Sequence, residues 1–139
     1  MDAKTIFQPK IWYIIAGAMA LIAGIECIIT AETWAESAWG ADGVNDQSIA
    51  MEKLFGLFMA GFGAMSLTCA FALDGKAQAK FALANGAVIS LFFVAMFLLL
   101  PSTGYETQGK SFLLPPFIFM GGLMTSGYLH MNEENQPAE

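Results

Sequence analysis

Glu26 lies near the end of the apolar run IWYIIAGAMALIAGIECIIT, where a carboxyl group has no water to solvate it. Such a group costs a few kcal/mol if it faces lipid, and its usual escapes are a partner or a proton. On a helix its stripe is Met19, Ile22, Thr30, Thr33 and Ser37, with Ala16, Ala23 and Cys27 beside it. This hydroxyl-bearing, small-residue surroundings point Glu26 inward, toward other helices. One reading is structural: the acid donates a hydrogen bond to a carbonyl or hydroxyl of a neighbouring helix. The others are functional: it carries a proton, coordinates a cation, or ligates the magnesium of a chlorophyll.

Asn85, Gln78, Gln108 and His130 are the further candidate ligands for a chlorophyll, quinone or lipid, although no motif indicates any of these. The ordinary alternatives are an interhelical hydrogen bond for Asn85 and an interfacial helix-end side chain for His130. Glu26 belongs toward the outer side of the expected topology and Asn85 and His130 toward the inner side, so the three do not form one cluster. The chain has no glycine-rich phosphate loop, nucleophile elbow or CxxC, and a single histidine cannot complete HExxH. No catalytic residue and no metal site is read from it. Cys27 and Cys69 fall at different depths, which argues against a disulfide between them. A net charge of -6 without a basic cluster argues against nucleic acid.

The elements that must position these groups are transmembrane helices. Hydrophobic residues make up 56% of the 139 residues and charged ones only 13%, which is outside the range of soluble domains. Four apolar blocks, 11–30, 51–73, 79–100 and 112–128, each approach the ~20 residues that cross ~30 Å of hydrocarbon. The runs LFGLFMAGFGAMSLTCAFAL and FALANGAVISLFFVAMFLLL are apolar all round, unlike the one-sided stripe of a soluble bundle. The first block exceeds a signal-peptide core and is read as retained. The expectation is an all-α membrane protein: one domain, 1–139, folded as a four-transmembrane-helix bundle. The helices are placed at about 10–38, 51–73, 78–100 and 112–130, with both termini on one side and an acidic disordered tail over 131–139.

All six basic residues are lysines; Lys4, Lys10, Lys76 and Lys80 fall on one side and Lys53 and Lys110 on the other. The positive-inside rule then puts both termini in the cytoplasm, or in the stroma or matrix of an organelle. Pro9 suits a helix start, and Gly40 is the stop expected for a first helix that runs beyond the membrane surface. Trp34 and Trp39 would anchor its outer part at the headgroups. Asp74 and Gly75 make a tight turn, Pro101 to Gly104 closes the third helix, and Ser111 is a candidate cap for the fourth.

Because lipid tails are as apolar as leucine, packing by small residues must join the helices. The candidates are Ala16 and Ala20; Gly56, Ala60 and Ala64; Ala82, Gly86 and Ser90; and Gly122 and Ser126. Phe58, Phe62, Phe92, Phe93 and Phe97 lie on other faces, toward lipid, pigment or another subunit. FMAGF at Phe58–Phe62 is echoed by FMGGL at Phe119–Leu123; an internal repeat or chance in a restricted alphabet produces that.

MEKLFGLFMAGFGAMSL, followed by a short lysine-bearing turn and two more spans, resembles the small four-helix membrane proteins of the DoxX-like group. The resemblance covers the four-span layout and one glycine-rich helix. It implies subunits of quinone-linked oxidoreductases or proteins without an assigned role, and transfers no catalytic residue. Abundant packing faces and few reactive groups point to a noncatalytic membrane subunit, not an enzyme. Its expected surroundings are the bilayer and other membrane subunits or further copies of itself, within a photosynthetic or respiratory complex. The alternative is a pigment-, quinone- or lipid-binding protein, or a small proton-linked transporter, using Glu26.

Overall fold

A computed structural model describes residues 2–106 and 114–133. These residues form six α-helices and no strand: α1 (Ala3–Ile6), α2 (Pro9–Ile29), α3 (Ala31–Trp39), α4 (Asp46–Ala72), α5 (Gly75–Leu99) and α6 (Leu114–His130). Three segments are long and apolar enough to cross a membrane: Ala3–Ile29, Asp46–Ala72 and Gly75–Thr103. The described part of α6 has 17 residues, about 26 Å of helix, and is the shortest of the four long rods. Gln108, Lys110, Ser111 and the tail from 134 onward lie outside the described residues.

Pro9 occupies the first turn of α2, where its missing N–H removes no helical bond. At Thr30 the hydroxyl and the backbone N–H both donate to the Glu26 carbonyl, each at 2.8 Å. Back-bonding of this kind bends a helix, and α3 continues from the bend as far as Gly40, whose φ of 74° ends it. The first helix thus runs on past its apolar part as expected. Helix α4 begins five residues before its apolar block. Asn45 accepts from the N–H groups of Gln47 and Ser48, and Ser48 Oγ accepts from the Asn45 N–H, a reciprocal cap that starts a helix in polar sequence. The expected disorder from 131 onward is corrected in part. A turn follows α6 in which the Glu133 N–H donates to the His130 carbonyl at 3.1 Å.

Helix α2 packs along α4, α5 packs along α6, and the two pairs join through α2 and α6. Consecutive helices α4 and α5 scarcely touch. The seam between α2 and α4 is backbone against backbone. A Cβ on Gly24 would stand 2.6 Å from the Gly56 carbonyl oxygen, and one on Gly56 would stand 2.7 Å from that of Gly24. Gly17 and Gly63 repeat the arrangement one heptad away, at 3.0 and 2.7 Å. Heptad spacing keeps one seam in register along two supercoiled helices, a period the four-residue spacing overlooked. In the second pair, Gly86 meets the Met120 carbonyl and Gly127 meets the Ala79 carbonyl, with added Cβ distances of 3.0 and 2.5 Å. Tyr13, Ala16, Ala70, Ala82, Met120 and Leu123 fill the centre.

Most of the expected packing residues lie in these seams: Ala16, Gly56, Ala82, Gly86, Gly122 and Ser126 are buried, and Ala20, Ala60 and Ser90 are half-buried. Ala64 is exposed, because 100° per residue carries it off the stripe that holds Gly56 and Gly63. The FMAGF echo has no structural counterpart. Gly61 is open whereas Gly122 is covered by the Trp12 ring, and Ala60 packs on Gly24 whereas Gly121 is open.

Candidate functional site

Among the described residues the enclosed carboxyl group is Glu52, not Glu26. Glu26 is exposed, which corrects the expectation that it looks inward. The bend at Thr30 and the glycine seam turn the Gly24 and Cys27 side of α2 toward α4, leaving Glu26 outside. Glu52 sits four residues before Gly56, on the face of α4 that meets α2 and α3, and is 1% exposed. The Cys27 thiol donates to the Glu52 carbonyl at 3.3 Å, which sets both residues at one level. Its sequence signal was weak, because MEKL reads as a polar helix entrance.

Two segments roof Glu52, the end of α3 and the stretch after α5. The Tyr105 hydroxyl donates to Glu52 Oε2 at 3.4 Å, and the Trp39 ring meets Tyr105 edge-on with centroids 5.1 Å apart. Trp39 Nε1 is buried and approaches the carboxyl without completing a hydrogen bond. Trp39 is therefore turned into the cap over Glu52. The Glu106 N–H donates to the Ala38 carbonyl at 2.7 Å, sewing the segment after α5 onto the end of α3. Burial, and then the charge of Glu52, push the Tyr105 hydroxyl well above the usual tyrosine range, so it remains a donor. The arrangement is an acceptor met by a tyrosine donor and a nearby indole N–H, which suits a structural knot better than a cation site.

Asn85 makes the interhelical bond expected of it: its Nδ2 donates to the hydroxyl of fully buried Tyr13 at 3.1 Å, tying α5 to α2. Gln78 is buried, and its Nε2 donates to the carbonyls of Cys69, Ala70 and Leu73 at 3.2, 3.1 and 2.7 Å. It thereby caps the end of α4 and fixes the short turn into α5. His130 ends α6 beside Glu133 and the Lys4 carbonyl, at 2.7 and 3.2 Å. Glu26, Asn85 and His130 thus occupy three separate places. Among the described residues, no three His, Cys, Asp or Glu side chains converge on a common point. Compared with known protein families, curated proteins and solved structures, the chain has no match.

Proposed function

We propose that this chain is a noncatalytic membrane subunit with four spans that packs against helices of other membrane proteins, within an energy-converting complex. The observation that carries the reading is the pair Gly61 and Gly121. Each lies within an apolar helix and has nothing within 4 Å of where a Cβ would stand. A helical glycine costs about 1 kcal/mol relative to alanine, and an open one brings no benefit unless another backbone approaches it. Exposed Ala64 and Thr68 extend the Gly61 face, and exposed Thr125 extends the Gly121 face. Helix α5 agrees: in the most apolar stretch of the Gly75–Thr103 span only 6% of the residues are buried by the chain itself, against 28% and 22% for the other two spans. Gln78, Asn85 and Glu52 are each committed to ties between elements, which leaves few polar groups for a transport path.

In this reading α6 is the fourth span, and the lysine-rich end, with both termini, faces the cytoplasm, stroma or matrix. The DoxX-like resemblance of 51–67 and the layout after it fits such a subunit. Extraction in a gentle detergent, followed by native mass and identification of copurifying chains, tests it. The wild type is expected to copurify with a distinct membrane protein. Gly61→Leu and Gly121→Leu are expected to fold, since both sites are open, and to lose that partner. A lone, lipid-coated monomer would overturn the proposal. So would a transport or redox activity abolished by Glu52→Gln at normal membrane levels, which favours the proton- or ligand-handling alternative.

A further inference from the structure

The chain's single histidine stands between two oxygen atoms at the lysine-rich end. His130 Nδ1 is 2.7 Å from Glu133 Oε2, and Nε2 is 3.2 Å from the Lys4 carbonyl oxygen. A carbonyl and an ionised carboxylate only accept, whereas a neutral imidazole carries one N–H. Both contacts are hydrogen bonds only when the ring bears two protons. Glu133 is also bonded by Lys4 Nζ at 2.6 Å, and that bond first, with His130 second, holds its carboxyl below the usual range.

What these groups join is α1 and the end of α6. The segment leading into α2 is already folded back on the bundle: Trp12 Nε1 donates to the Ile6 carbonyl at 3.3 Å, Phe7 stacks on the Trp12 ring at 5.5 Å, and that ring covers Gly122. We propose that His130, Glu133 and Lys4 form a proton-dependent clasp that fastens α1 to the end of α6, independently of what covers the outward faces.

The clasp is closed while His130 is cationic and Glu133 anionic. A lowered carboxyl contributes above the ordinary carboxylate range, and its contribution is lost as pH falls through the lowered value. A neutral imidazole keeps one N–H and so makes only one of the two bonds. The groups facing the ring are Glu133 and the Lys4 backbone, with the Lys4 ammonium and Asp2 next to them. On the helices packed against α6, Lys10 lies over the Phe71 ring at 5.6 Å and Lys76 and Lys80 are exposed.

The test is nitrogen NMR of the His130 ring in the full chain in nanodiscs from pH 4 to 9. Amide exchange at Phe7, whose N–H donates to the Ala3 carbonyl, is followed in parallel. Both ring nitrogens are expected to carry protons in mild acid. His130→Gln is expected to speed Phe7 exchange about two- to five-fold, the effect of an exposed ion pair, and only at pH values where both wild-type ring nitrogens carry protons. Comparing variant with wild type at each pH removes intrinsic base catalysis. A ring protonated on one nitrogen throughout, or a variant-to-wild-type ratio of one at every pH, would overturn the clasp.

Discussion

At the scale of single residues, Glu52 shows how an apolar bundle accommodates a carboxyl group. The chain supplies it with Tyr105 as a donor and encloses it beneath Trp39 and Tyr105. Leaving a buried donor without its acceptor costs about 1 to 3 kcal/mol. Glu52→Ala is therefore expected to lower stability by about that amount, whereas Glu52→Gln, which keeps an acceptor oxygen, should cost less than half as much. Denaturant titration of both variants in one detergent measures the difference. Because the Tyr105 hydroxyl is raised, its contribution is full below the unfolded tyrosine value near 10 and declines as pH rises through the folded value. The same titration carried above pH about 10 should show that loss, and Tyr105→Phe should not.

Elements are joined here by absent side chains. Gly24 and Gly56 bring α2 and α4 to backbone contact, as do Gly17 and Gly63. A leucine at Gly24 must displace the α4 backbone, so Gly24→Leu is expected to cost more than 3 kcal/mol or to abolish folding. Gly61→Ala, one helix face away and in open space, should be neutral or stabilising by up to about 1 kcal/mol. Thermal unfolding of the two variants in nanodiscs separates a seam glycine from an outward one. The turn from α4 to α5 needs a different device, and Gln78 provides it by bonding the last carbonyls of α4. That turn holds the two helices in sequence without packing them together.

For the whole molecule, the governing quantity is apolar surface left uncovered. Phe92 is 71% exposed and Leu98 75%, and Leu57, Phe58 and Phe71 are exposed as well. A patch beyond a few hundred Å² is a liability in water, whereas lipid tails cover it without penalty. The full chain is expected to sediment with membranes and to stay there through a urea wash, going into solution only with detergent. A folded, helical chain in the detergent-free supernatant would contradict three membrane spans.

The amino-acid sequence by itself determined the rods and several of their ends, though not the start of α4, which the Asn45 cap sets in polar sequence. All-round hydrophobicity, Pro9, Gly40 and the Asp74–Gly75 turn act locally, over one or two helical turns, and a local pattern is readable without knowing what lies opposite. Only the tertiary structure decided which face of each rod is inside. A bundle in lipid has no polar face to mark its outside, so the stripe around Glu26 and the one around Glu52 are equivalent as patterns. Their difference arises from the glycine seam and from the fold of α3 over α4. The same reason explains Ala64 and the FMAGF echo: rotation about the helix axis, set by backbone contact with a neighbour, is not written in the spacing of small residues alone.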